Sequence, residues 1–304
     1  MSENIIDKSI FFQTEITETG RAVVNFTWNE FVGFFPYYRV YYIVDGEADI
    51  ILSDKSMRLK KGNIYFIPAF SIKSVKLMTE TLDHMWIHFT VGSGLARYLE
   101  TAEKVLSYPA EEGDVPVFKK ILEYSEGAHP EALTKNAAIT GLLSYLLAKF
   151  FIGSEHPADS KEKMRFIPVL RYIDENLSGK IENDELCKLV FLSKIYFSNL
   201  FTKQFGKSPK QYVQEKRIMT AATLLVATDK PIKEIAEEVG YIDDAYFNRS
   251  FAKFTHMTPG AYRKTLGSMA KAKIKTDDGK SKNASTSRSK SAPKNNPKTN
   301  KTSR

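Results

Sequence analysis

The chain has 304 residues, 42% of them hydrophobic, with a formal net charge of +8, which is enough material for two packed domains. A single cysteine excludes an intrachain disulfide framework and fits a reducing compartment. No stretch approaches the roughly eighteen consecutive apolar residues of a membrane span, and the first twenty residues, with Glu3, Asp7, Glu15 and Glu18, lack the apolar core of a secretory leader, so a cytoplasmic chain with no membrane partner is expected.

Charge is distributed unevenly. Residues 1–160 carry 15 Lys and Arg against 21 Asp and Glu, residues 161–267 carry 18 against 13, and residues 268–304 carry 11 against 2. An acidic front half is poorly suited to nucleic acid and better suited to sensing or association, whereas the back half is basic in its own right.

The front half opens with strand-like segments. Tyr38 to Val44 is followed by Asp45-Gly46, a hairpin signal, and then by Ala48 to Leu52. Met57 to Asn63 leads into Ile64-Tyr65-Phe66-Ile67-Pro68, and His84 to Thr90 forms another run. Short strands punctuated by Gly and Pro predict a small barrel. Its candidate ligand-binding side chains are Arg39 and Tyr41 on one strand and Trp86 and His88 on another. Aromatic walls with a few polar groups suit a small polar molecule such as a sugar, and which strand face points inward is left open. His84 and His88 share a strand face but have no histidine partner on the early strand. That set is incomplete for a transition metal, so no metal or cofactor is expected and packed or hydrogen-bonded histidines are the simpler reading.

Three helical stretches follow, at about 94–106, 115–127 and 134–152. The last carries Ala137, Ala138, Ile139, Leu142, Leu143, Leu146, Leu147, Phe150 and Phe151, a face wide enough to cover the barrel and still meet a second subunit; a wholly intramolecular core helix is the alternative. Residues 153–163 are polar and read as a linker.

Beyond them one pattern occurs twice. Tyr196-Phe197-Ser198-Asn199-Leu200-Phe201, then Ser208-Pro209 and Tyr212, reappears as Tyr246-Phe247-Asn248-Arg249-Ser250-Phe251, then Thr258-Pro259 and Tyr262, each matched pair 50 positions apart. Phe197, Leu200 and Phe201 form one apolar helical stripe, while Lys194, Ile195, Ser198, Asn199 and Lys203 form an acid-free opposite face. Ser193 suits the first N-cap, and Asp243 or Asp244 the second. Each copy is preceded by a short helix, opened by Asn183-Asp184-Glu185 in the first and by Thr228 to Pro231, with Pro in the first turn, in the second. The offset between these short helices is 49 (Cys187 to Ala236), so the second turn holds one extra residue. Residues 209–228 read as one long helix between the units. About twenty residues span roughly 30 Å, close to the roughly 34 Å between successive major-groove faces.

With Arg217-Ile218, Ala221, Leu224-Leu225 and Thr228, then Ile232, Ile235-Ala236 and Val239-Gly240-Tyr241, the region from about Phe166 to Thr265 resembles the DNA-binding domain of the AraC/XylS family of bacterial transcription regulators. Cys187 and His256 depart from the family pattern, the latter standing where the first copy has Gly206, which puts a left-handed helix cap in question. Leu59, Gly62-Asn63 and Ile67-Pro68 similarly resemble the cupin-like effector domain that precedes this unit in the family.

The resemblance implies an α+β multidomain chain: a cupin-like β-barrel at 1–92, a helical dimerisation or support segment at 93–152, a linker at 153–163, an all-α double helix-turn-helix domain at 164–266 and a disordered basic tail at 267–304. It implies double-stranded DNA as partner, a small-molecule effector, a homodimer, and RNA polymerase if the protein is an activator. Base or phosphate contacts are expected from Lys194, Ile195, Ser198, Asn199 and Lys203 in the first unit, and from Ala245, Asn248, Arg249 and Lys253 in the second. No nucleophile motif, phosphate loop or zinc cysteine pair is found, so an enzyme is not expected. Two alternatives stand beside this reading: an effector-independent dimeric DNA binder, and a cupin enzyme with an accessory DNA domain. The tail reads either as an electrostatic arm on phosphates or as a solvated extension.

Overall fold

The computed structural model describes residues 14–25, 34–52, 55–101, 106–127, 132–151 and 158–267. The expected basic tail from residue 268 and linker residues 153–157 lie outside them.

Among the described residues eight strands make two sheets: β1 (Thr14–Val24), β2 (Tyr38–Asp45), β3 (Glu47–Leu52), β4 (Ser56–Lys60), β5 (Asn63–Ile67), β6 (Ile72–Leu77), β7 (Leu82–Val91) and, after the helix α1 (Ser93–Thr101), β8 (Ser107–Pro109). Sheet order is β1-β7-β2-β5-β8 in one layer and β4-β3-β6 in the other. Among the described residues the layers do not close into a barrel, so the expected barrel is a two-sheet sandwich. Asp45-Gly46 also differs from expectation. β2 pairs with β5 and β7, whereas β3 pairs with β4 and β6, so this turn carries the chain from one layer to the other and closes no hairpin.

Strand alternation divides the five-stranded sheet into two apolar faces. One, with Tyr41, Ile43, Tyr65 and Ile67, meets Ala48, Ile50, Leu52, Leu59, Ile72 and Val75 inside the sandwich. The other, with Val40, Ile64, Phe66, Met85, Ile87 and Phe89, is covered by α1, α2 (Asp114–Glu126) and α3 (Ala132–Lys149) through Leu95, Leu99, Phe118, Ile121, Leu143, Leu146, Leu147 and Phe150. The wide apolar face of α3 is thus spent largely inside the chain.

The remaining elements are helical: α4 (Ala158–Arg165), which occupies residues 158–163 of the stretch read as linker, α5 (Ile167–Glu175), α6 (Asn183–Lys188), α7 (Lys194–Phe205), α8 (Pro209–Ala227), α9 (Ile232–Glu238), α10 (Asp244–Thr255) and α11 (Pro259–Tyr262), ending in a π turn at Arg263–Gly267. The second short helix starts one residue later than expected, with Pro231 at its N-cap. Two cores result. Phe166, Leu170, Leu186, Phe197, Phe201 and Tyr212 fill the first unit, and Ile218, Ala221, Leu225, Ile235, Phe247, Phe251 and Tyr262 the second. α8 supplies residues to both.

The halves touch through α1. Arg97 Nη1 meets Asp174 Oδ2 of α5 at 2.8 Å, and Glu100 accepts the Tyr212 hydroxyl at 2.8 Å and Lys216 at 3.0 Å, both from α8. Burial lowers the pKa of Lys216, but the Glu100 and Asp174 carboxylates outweigh it and leave the pKa raised. Beside these contacts a cavity of about 520 Å³ is lined by residues that include Tyr38, Phe66, Leu99, Tyr212, Lys216 and Met219.

Candidate nucleic-acid interface and the sandwich interior

In α7 the Ser193 hydroxyl accepts the Tyr196 N–H at 3.4 Å, and in α10 Asp243 accepts the Tyr246 N–H at 2.9 Å, so Asp243 is the second cap. Each helix ends in a left-handed residue: Gly206 at φ 70° and His256 at φ 59°, whose N–H still donates to the Ala252 carbonyl. The histidine therefore keeps the cap that a glycine makes in the first copy.

The turns explain the change of offset. The Leu192 N–H donates to Cys187 O at 3.1 Å, and the Tyr241 N–H donates to Ala236 O at 2.9 Å, both pairs related by 49. Phe191, at φ 55°, thus occupies the place of Gly240, at φ 83°. The extra residue is Ile242, fully exposed ahead of the Asp243 cap. Phe191 is 94% exposed, so its left-handed backbone is not offset by burial of the ring.

With Phe197, Leu200, Phe201, Phe247 and Phe251 turned inward, the opposite faces are open. Lys194, Ile195, Asn199 and Lys203 are exposed on α7, with Ser198 half-buried beside Asn183, whose Nδ2 donates to Ser198 Oγ at 3.5 Å. Ala245, Asn248, Arg249 and Lys253 are exposed on α10. Lys194 is engaged by Asp184 at 2.5 Å, which ties it to α6. Phe191, Ile242 and Tyr246 are exposed on or just ahead of these helices and were not among the expected contacts; for Ile242 the one-residue difference in turn length was the available signal.

The two units are held in one orientation. From the middle of α8, Arg217 donates through Nη2 to Gly179 O at 2.6 Å in the first unit and through Nη1 to Gly240 O at 3.1 Å in the second. Gln214 Nε2 donates to the Tyr246 hydroxyl at 2.8 Å. Gly240 cannot be replaced without displacement, because a Cβ there would lie 2.5 Å from Leu177 O and 2.9 Å from the Arg217 guanidinium carbon.

The four side chains expected to meet a ligand share the face of the five-stranded sheet that looks into the sandwich. Arg39 pairs with His88, Tyr41 with Trp86 and Ile43 with His84 across β2 and β7, while Glu18, Gly20 and Ala22 of β1 pair with His88, Trp86 and His84 from the other side. Gly20 is what lets the indole lie over β1, since a Cβ would come within 2.5 Å of Trp86 Cζ2. His88 Nδ1 lies 3.3 Å from Glu18 Oε2, and its Nε2 lies 3.4 Å from the Tyr41 hydroxyl. The carboxylate favours the Nδ1–H tautomer and leaves Nε2 to accept from Tyr41. Tyr37 stacks on the His88 ring at 4.7 Å and 22°. Burial drives the Tyr41 phenol pKa up and depresses the His84 pKa to about 4. Glu18, Phe35 and Tyr37 were missed in the sequence because polar residues interrupt the apolar alternation of β1, and residues 34–37 precede the strand. Among the described residues no group of three or more His, Cys, Asp or Glu is placed to hold a metal.

A family model described as a helix-turn-helix domain matches residues 186–265. The chain is 29% identical over 148 residues to the uncharacterized HTH-type transcriptional regulator YijO of Escherichia coli strain K12, a match covering 49% of this chain and 52% of that one, so it spans about half of that relative. It is 24% identical over 240 residues to the raffinose operon transcriptional regulatory protein RafR of Pediococcus pentosaceus, covering 76% and 86%. Among solved structures, wild-type ToxT from Vibrio cholerae bound to an unsaturated fatty acid has the same fold, with a TM-score of 0.54 over 84% of this chain and 96% of that chain at 13% identity.

Proposed function

We propose, on the premise that residues 186–265 match a helix-turn-helix domain, that the chain is a sequence-specific DNA-binding transcription regulator of the AraC type whose front half receives a small-molecule effector. The observation that carries the reading is the pair of exposed helix faces on α7 and α10, joined by the single 19-residue helix α8 and locked by Arg217. At 1.5 Å per residue α8 is about 28 Å long, a length that suits two recognition helices in successive turns of one major groove. Asn199 and Arg249 are the base-reading side chains, and Lys203 and Lys253 meet phosphates. Ile195 and Ala245 supply apolar contacts to thymine methyl groups, with Lys194, Ser198 and Asn248 beside them. The 11 basic against 2 acidic residues of segment 268–304 add sequence-independent attraction to DNA.

The effector enters the sandwich on the face of Arg39, Tyr41, Trp86 and His88. RafR, named for a raffinose operon, and ToxT, solved with a fatty acid, support a ligand-responsive front half. The exposed side of α3, with Leu133 and Tyr145, is the surface for a second copy of the chain, and an activator would also meet RNA polymerase. The chain acts by binding rather than by catalysis, in a cytoplasmic setting. The test is selection from a pool of random duplexes. The expected product is a site with two conserved blocks whose centres are about 10 base pairs apart. Enrichment no better than for arbitrary DNA would reject the function.

A further inference from the structure

The Arg39 side chain is fully buried, yet its Nε, Nη1 and Nη2 have no hydrogen-bond partner among the described residues. A guanidinium carries five N–H donors, and one that leaves water without acceptors forfeits its hydration for nothing in return. Two aromatic faces stand against it instead: its Cζ lies 4.8 Å from the Phe35 ring centroid and 4.6 Å from that of Tyr37. Such contacts, together with the pull of the Tyr37 hydroxyl toward the guanidinium, offset part of the loss but leave most of the five N–H donors without an acceptor. The acidic side chain of this face, Glu18, has its carboxylate at His88 Nδ1. Trp86 Nε1 is a second buried donor without an acceptor on the same face. Unused donors set in a wall of rings are the complement of an anion with an apolar body.

The Phe35 ring has a second location to account for. It is 4% exposed and belongs to the same buried cluster as Ile218, Leu225, Phe247 and Tyr262, the core of the second helix-turn-helix unit. Its neighbour Phe34 lies 5.1 Å from Phe254 and 5.9 Å from His256 between ring centroids. One short segment therefore covers the buried cation at one end and fills the DNA-reading half at the other.

We propose that Arg39 receives the carboxylate of a small organic acid inside the sandwich, and that Phe35 reports its arrival to the second helix-turn-helix unit. The proposal rests on the reading that an effector enters the sandwich, and narrows that effector to an anion. A carboxylate that takes two N–H donors of Arg39 needs space along a guanidinium now faced by Phe35 and Tyr37. Ligand entry and the packing of Phe35 are therefore linked, and linkage runs both ways: whatever fixes the second unit changes affinity at Arg39.

The experiment melts the full chain in formate, acetate, propionate and benzoate against the matching amides, with Arg39→Met and Phe35→Leu alongside, and follows hydrogen exchange over residues 244–267. At least one carboxylate is expected to raise the wild-type Tm by about 3 °C or more at millimolar concentration where its amide does not. Arg39→Met is expected to fold and to lose the shift; if it does not fold, Arg39→Lys, which lacks the two-pronged donor, is expected to lose at least half of it. The same carboxylate should alter exchange over 244–267 several-fold in wild type and far less in Phe35→Leu. Equal shifts with acid and amide, a shift that survives Arg39→Met, or no shift with any probe overturns the carboxylate site. A neutral compound that stabilises only through Arg39 would sink the carboxylate while leaving the effector reading intact. A carboxylate shift with unchanged exchange at 244–267 overturns the role of Phe35.

Discussion

The Tyr262 hydroxyl donates a hydrogen bond to the backbone carbonyl of Phe34, joining groups 228 positions apart in the chain. Tyr262 closes the core of the second helix-turn-helix unit and is 1% exposed, so the bond runs from the interior of that unit to the segment entering β2. With the Arg97–Asp174 and Glu100 contacts, it fixes both units of the C-terminal half against the front half.

Tyr262→Phe keeps the ring in place and leaves the Phe34 carbonyl without its donor. A loss of about 1 kcal/mol in unfolding free energy is expected, read as a lower urea midpoint at constant slope. An unchanged midpoint would mean that the bond contributes nothing in solution.

Phe191→Gly should stabilise the chain. The left-handed backbone at φ 55° costs a bulky residue roughly 1–2 kcal/mol that glycine avoids, and the exposed ring has little packing to lose. Part of the gain is cancelled by the greater freedom of glycine in the unfolded chain, so about 1 kcal/mol is expected. A fall in Tm would show that the ring has a packing role not seen here.

Arg249→Ala is expected to relax preference at a guanine, because a guanidinium can bind O6 and N7 with two hydrogen bonds worth roughly 1–3 kcal/mol. Asn199→Ala should relax an adenine position about one helical turn away. Lys203→Ala and Lys253→Ala should weaken all sequences alike and reduce the salt slope of binding. Both recognition residues are exposed, so none of these changes should alter the melting temperature by much. Identical base preferences for wild type and the first two variants would remove both residues from the reading head.

His84 makes stability acid-sensitive. Burial lowers its pKa from the ordinary 6.5 to about 4, against the opposing pull of Asp83. The unfolded chain thus takes up this proton first as pH falls. The contribution of this group is complete above about pH 6.5, declines from there to about pH 4, and falls no further below that value. At 1.36 kcal/mol per pH unit of difference, the loss is on the order of 3 kcal/mol. His84→Asn, which does not titrate, should flatten the decline in this window when urea midpoints are compared across pH. A wild-type curve already flat between pH 6.5 and 4 would contradict the buried, neutral imidazole.

The helical half was legible because its information is local and repeated. Phe197 with Phe201, and Phe247 with Phe251, mark buried stripes by helical spacing, Ser193 marks a cap, and a 50-residue repeat cannot arise from surface composition alone. The exposure of Asn199 and Arg249 followed from those stripes, since a helix that buries one face presents the other. Arg39, Tyr41, Trp86 and His88 could be placed on alternating strand faces, but alternation has no sign. The five-stranded sheet is apolar on both sides because helices cover one face and β3, β4 and β6 the other. Only the tertiary structure decided that the Arg39 face looks into the sandwich and that Asp45-Gly46 crosses between layers. It also brought Phe34 and Phe35 to Tyr262. That pairing spans most of the chain, and no local periodicity encodes it, because it depends on how two independently patterned halves pack.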